Sequence, residues 1–184
     1  MLPLRLTAGD DLRLCLEEVI TAAALPGAFV VSGIGSLTVA MLRYAGTEQI
    51  KQIEADLELL SLAGSISDDG AHLHAVVADA QGRVMGGHLC HGSLVRTTAE
   101  LLLAVVPAEQ RLRRSHDAAT GYDELVIGRT ASSGNPVFNQ KPPSNAWEAW
   151  VAKRSVAAGH QDRADENHYH FQTWARSGSP PRLI

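Results

Sequence analysis

Cysteine, basic residues in excess and long hydrophobic runs are all missing from this sequence, and each shortage narrows what the chain can be. Two cysteines, Cys15 and Cys90, cannot build a disulfide framework, so a reducing, cytoplasmic setting is expected. Sixteen Lys and Arg stand against 20 Asp and Glu, a net charge of −4. A large nucleic-acid surface usually needs a basic excess, so the balance argues against one. No apolar run approaches the ~18 residues of a membrane span, and the first residues lack the apolar core of a signal peptide. What is present is ordinary: 184 residues, 45% apolar and 20% charged, enough for one core-bearing domain with a short appendage.

Histidine is the residue with a pattern. Four of the eight fall within 20 residues of the stretch AHLHAVVADAQGRVMGGHLCHGSLVRTTAE, Ala71 to Glu100. Ala71 to Asp79 reads as a strand, and His72 and His74, two apart, leave it on the same face. Asp79-Ala80-Gln81-Gly82 is turn chemistry, with Gly82 free to take a positive φ. Arg83 to Cys90 returns as the partner strand. If paired residue numbers sum to about 160 to 162, His88 falls beside His72 or across from His74. Cross-strand Cβ atoms are about 4.5–5.5 Å apart, close enough for three imidazoles to meet one ion. Gly86-Gly87 permits a bulge that re-aims His88. The set matches a zinc ion with three nitrogens and one open position. Histidines lining a solvated sheet face fit the same spacing, because H-x-H alone is a weak motif.

The rest of the chain frames this hairpin. Leu2 to Leu6 alternates as a first strand, and Gly9-Asp10-Asp11 opens a helix. Leu12, Cys15, Leu16, Val19 and Ala23 form its apolar stripe, opposite Arg13, Glu17 and Thr21, until Pro26-Gly27 ends it. Ala28 to Val31 and Leu37 to Tyr44 read as two strands joined by a glycine bend or bulge at Ser32 to Ser36; the spacing of a phosphate-binding glycine loop is absent. Gly46 to Ala55 reads as a polar connector. Asp56 to Ile66 reads as a strand covered on both faces. Leu94 to Val106 is a further strand, Arg111 to Asp117 a basic, mobile loop, and Tyr122 to Ile127 a last strand. Thr130 to Ser144 is linker chemistry. A capping box at Asn145 and Glu148 and the run Asp162 to Arg176 predict short helices, docked through Trp147, Trp150 or Trp174. The expected division is a domain over 1–128, a linker over 129–144 and a helical extension over 145–184.

The ordered matches GDDL (Gly9 to Leu12), SGIGSL (Ser32 to Leu37), LELLSLAGSISDDGAHLHAVVADAQGRVMGGHL (Leu57 to Leu89), TTAE (Thr97 to Glu100) and TGYDELVI (Thr120 to Ile127) resemble the PPC-domain family. That domain is shared by prokaryotic stand-alone proteins and plant AT-hook nuclear proteins. The resemblance runs from Leu4 to Ile127. It implies an α+β domain, a mostly antiparallel β-sheet with few helices, assembled as a homotrimer. It also implies a metal, usually zinc, on His72, His74 and His88, and a fold similar to that of acetolactate decarboxylase. The basic Arg-Gly-Arg-Pro hook of the plant proteins is absent, so direct DNA binding is not expected.

Two functions follow as expectations. One is a trimeric metal-binding protein in regulation, associated with DNA or another partner. The other is a zinc-dependent lyase- or hydrolase-like enzyme acting on a small carbonyl or carboxylate at the metal. For the second, Glu100 is the candidate acid/base and Arg96 the candidate anion clamp; a strand-face ion pair and a solvated cation are their ordinary alternatives. Cys90 reads as a small buried hydrophobe, His91 as pointing to the opposite face, and His116 as lacking an identifiable partner.

Overall fold

Asp11 turns the chain from strand into helix. Its backbone is extended and its carboxylate accepts from the Arg13 and Leu14 amides, satisfying two of the donors that a helix start leaves unpaired. The computed structural model describes residues 1–129. In order they form β1 (Leu2–Thr7), α1 (Leu12–Ala22), β2 (Ala28–Arg43), β3 (Ile50–Ser67), β4 (Gly70–Ala78), β5 (Val84–Leu89), β6 (Leu94–Val105), β7 (Gln110–Asp117) and β8 (Tyr122–Arg129).

β1 to β6 make one antiparallel sheet in the order β1-β6-β2-β3-β4-β5. The end of β2 also pairs with β5, Leu42 opposite Leu89 and Arg43 opposite His88, so one end of the sheet closes on itself. α1 lies against the inner face through buried Leu12, Cys15, Leu16, Val19 and Ile20. Leu6, Leu37, Leu57, Ile66, Leu73 and Leu89 complete that core. Each such Leu or Ile contributes about 1.5–3 kcal/mol of burial. The opposite face is only partly covered among the described residues, by the β7–β8 hairpin: Phe29, Val31, Ile34, Leu60 and Val76 are exposed there.

Several local expectations need correction. The two strands foreseen between Ala28 and Tyr44 are one 16-residue strand with register shifts near Ser32, Ser36 and Thr38. Residues Ile50 to Ala55 belong to β3 rather than to a connector, because β2 pairs with them, Ile53 opposite Ala40. β3 is not covered on both sides: Leu60 is exposed, and a bulge between Leu59 and Ser61 leaves Ser61 exposed and returns Leu62 to the core. The expected basic loop at Arg111 to Asp117 is β7, paired along its length with β8. Leu112, wholly buried, anchors this hairpin over Gly27, where a Cβ would meet the Leu112 Cγ at 2.6 Å. Apart from Arg129, which ends β8, the linker over 129–144 and the helical extension over 145–184 lie outside the described residues.

Candidate metal centre

β4 alternates strictly, with Ala71, Leu73, Ala75 and Val77 buried and His72, His74 and Val76 exposed. Asp79 closes the hairpin by accepting from the amides of Gln81 and Arg83, and Gly82 takes φ +74. That turn sets the register in which His74 faces His88 directly. The pairing sum is therefore 162, one of the two registers that bring the third histidine home.

The three rings converge. Centroids lie 5.0 Å (His72 to His74), 5.1 Å (His72 to His88) and 5.8 Å (His74 to His88) apart. One ring nitrogen from each lies within 4.8 Å of the other two. His72 Nε2 and His74 Nε2 are 3.2 Å apart, close to the edge of about 3.3 Å that tetrahedral bonds of about 2.0–2.1 Å require. Gly64 makes this spacing possible. It sits opposite Leu73 at φ +144, and a Cβ there would come within 2.0 Å of the His72 carbonyl oxygen.

The electrostatics favour the neutral form of His72 and His88. Burial, then Arg13 and the other histidines, push His88 down to about 4. Burial, Arg114 and His74 likewise hold His72 below the usual histidine value. Neutral rings offer the lone pairs that a metal needs. His88 Nδ1 is buried with no hydrogen-bond partner among the described residues, a deficit that ordinarily costs about 1–3 kcal/mol. A polar nitrogen left open beside two converging imidazoles fits a divalent ion: His72, His74 and His88 would hold it.

Two arginines flank the cluster, and neither stood out in the sequence. Arg13 leaves α1 to donate to the carbonyls of Leu89 (2.9 Å) and Ala71 (2.8 Å), and its Nη1 lies 3.3 Å from His88 Nε2. It thus ties the ends of both histidine strands to the helix. Glu17, one turn on, pairs with Arg13 at 3.0 Å and accepts from the Ala71 amide. The periodicity had placed both on a solvent face. Arg114 reaches the other side from β7: its Nη1 is 3.4 Å from His72 Nδ1 and its Nη2 donates to Ser65 Oγ. The Arg114 amide donates to Asp69 in the β3–β4 turn, which fixes the approach.

Arg96 and Glu100 do not join the histidines. They line a separate concavity of about 440 Å³ with Ile34, Ser36, Glu58 and Leu60. β6 and β4 are three strand spacings apart in the sheet, roughly 14 Å at about 4.8 Å each. Arg96 pairs instead with Asp56 at 3.2 Å. Cys90 is buried with its thiol near the His88 carbonyl. His91 pairs with Glu17 at 2.8 Å, away from the cluster, and His116 finds Asp123 at 3.7 Å.

The family model for the Plants and Prokaryotes Conserved (PCC) domain matches residues 1–107. The chain belongs to that family. A hypothetical protein from Salmonella has the same fold at 36% identity and a TM-score of 0.68, over 71% of this chain and 94% of that one. A metal-containing protein of Archaeoglobus fulgidus aligns at 29% identity and a TM-score of 0.54, over 68% and 91% of the two chains. Among curated proteins, a bifunctional protein GlmU of Synechococcus is 46% identical over 141 residues, 77% of this chain. This PCC-domain chain spans about a fifth of that relative's length, 22%. The family match ends before β7, so Arg114 lies outside it. No helix among the described residues is long and apolar enough to cross a membrane.

Proposed function

We propose that this PCC-domain protein is a cytoplasmic, homotrimeric zinc protein whose His72–His74–His88 centre binds a small molecule and serves regulation or partner binding. The observation that carries this is the convergence of three imidazoles between two arginines, one ring having a buried nitrogen with no partner among the described residues. The metal-containing relative from Archaeoglobus supports the ion. Recurrence of the sequence as about a fifth of a larger bifunctional protein supports a module that works beside other domains. The exposed Phe29, Val31, Ile34, Leu60 and Val76 supply an apolar face for the trimer.

The chain's own charges do not favour direct DNA binding. Arg111 pairs with Asp68, and Arg113 with Asp68 at 3.6 Å and Asp69 at 3.2 Å. The densest basic run is thereby largely neutralised, and trimerisation triples the net negative charge.

A second reading, a zinc-dependent lyase or hydrolase for a small carbonyl or carboxylate, is favoured by Glu124. This carboxylate shares the histidine-lined concavity with Arg114. Bound zinc would polarise a carbonyl or acidify water in its open position, and Glu124 is then placed to take or return a proton.

Metal analysis and light scattering on the full chain, purified without chelators, test the main reading together. One zinc per chain and a mass of three chains are expected. A monomer at micromolar concentration contradicts the assembly; metal well below one per chain contradicts the centre.

A further inference from the structure

Arg114 differs from its neighbours on β7. Arg111 and Arg113 are both paired with Asp68 or Asp69. The Arg114 guanidinium has no carboxylate in ion-pair range among the described residues; it touches Ser65 Oγ and His72 Nδ1. Leu112 and Arg114 share a strand face, so the buried Leu112 that anchors the hairpin also aims Arg114 at the histidines.

The contact with His72 is incompatible with an ion on that ring. A guanidinium only donates, so His72 Nδ1 must accept from it and carry its proton on Nε2. A neutral His72 that gives its Nε2 lone pair to a metal carries the proton on Nδ1 instead. Two donors then face each other at 3.4 Å, and Arg114 must let go. Its freed N–H groups remain beside a concavity of about 420 Å³ lined by Phe29, His72, His74, Glu124 and Leu125. A divalent ion and a guanidinium so close repel each other unless an anion lies between them.

We propose, resting on the metal reading above, that Arg114 holds one oxygen of a small monocarboxylate whose other oxygen takes the open position at the histidine centre. The planar fork of Arg114 matches a carboxylate. Glu124 in the same concavity disfavours ligands of higher negative charge. Phe29 and Leu125 form an apolar wall that suits a short alkyl tail. Arg114 is therefore the specificity-determining residue of the centre, in the role that Arg96 was expected to fill.

The test is calorimetric titration of butyrate, with butyramide as its uncharged counterpart, into the full chain loaded with one equivalent of zinc. Metal content is measured separately in every sample. Wild type and R96Q are expected to bind butyrate alike, R114Q at least tenfold more weakly with its zinc retained, and R114K in between. Butyramide is expected to bind at least tenfold more weakly than butyrate. Equal butyrate affinity in zinc-loaded R114Q, or equal affinity for butyramide, overturns the role of Arg114. Should R114Q fail to fold, wild-type affinity in R114K does the same. Undiminished butyrate binding by zinc-free wild type overturns the shared-oxygen arrangement. Failure of wild type to retain zinc overturns the metal centre itself, and the separate metal measurement tells the two failures apart.

Discussion

Two concavities open on the exposed side of the sheet, and they differ in how their charges are met. In the groove beside β6, Arg96 has its own carboxylate, Asp56, and Glu58 and Glu100 face water. At the other, three imidazoles stand between Arg13 and Arg114 with no carboxylate of the described residues among the cluster's direct contacts. A surface whose charges are already paired or hydrated has little to gain from a ligand. One that gathers imidazole donors beside a guanidinium with no carboxylate in ion-pair range gains a good deal. Concavity alone does not mark a site: both hollows are of similar size, and only their chemistry separates them.

The sharpest way to break this contrast is at Gly64. Gly64→Ala puts a Cβ against the His72 carbonyl at a backbone angle that only glycine adopts readily. A loss of at least about 2 kcal/mol in stability is expected, together with loss of bound metal, read by thermal melting and metal analysis. Gly46→Ala, at a positive-φ glycine with nothing near its Cβ, should cost less and spare the metal.

Arg13→Ala should follow. It removes donors from two carbonyls and one of the partners of half-buried Glu17, so a loss of about 2 kcal/mol is expected. Metal affinity should fall as β4 and β5 loosen, by roughly 10–100-fold if Arg13 behaves as an outer-shell support. Unchanged stability would show that the helix does not staple these strands.

Glu17 gives a weaker, pH-dependent signature. Burial alone would raise its carboxyl, but hydrogen bonds from His91, Arg13 and the Ala71 amide outweigh that and hold it below its ordinary 4.5. A depressed folded-state value means that its stabilisation is fully present above pH 4.5. The contribution is lost as the pH falls through the lower folded-state value. Denaturant melts of wild type and Glu17→Gln between pH 7 and 3 should therefore converge as the pH falls; a constant difference would count against the ion pair.

The smallest effects belong to the other groove. Arg96→Ala and Glu100→Gln should each change stability by less than about 0.5 kcal/mol and leave metal content untouched. A loss of metal in either variant would erase the distinction between the two concavities.

The histidine centre was legible in the sequence because its elements are local. A same-face pair, a glycine turn and a returning strand leave only two registers that work, and the structure adopts one of them. The arginines were not, because their positions are set by docking. Helical periodicity sees Arg13 and Glu17 opposite the apolar stripe and cannot know that the helix edge lies over the ends of β4 and β5. β7 was obscured for another reason: in QRLRRSHD only Leu112 is apolar, so alternation is hidden although that one residue anchors the hairpin. Leu62 shows the limit of period-two reading: one bulged residue reverses which side the next ones face, so Leu62 is buried although it shares Leu60's parity. The resemblance carried the fold as a whole, but it could not say which arginine faces the histidines.

The most direct test of the centre is zinc competition against a chromophoric chelator, with wild type, His72→Gln, His74→Gln, His88→Gln and Arg96→Ala compared side by side. One tight site is expected in wild type and Arg96→Ala. In each histidine variant, affinity should be weakened by more than about 100-fold, since a ligand should matter more than its supporting neighbours. Wild-type affinity in His88→Gln, the variant that removes the histidine contributed by β5, would contradict the three-histidine centre.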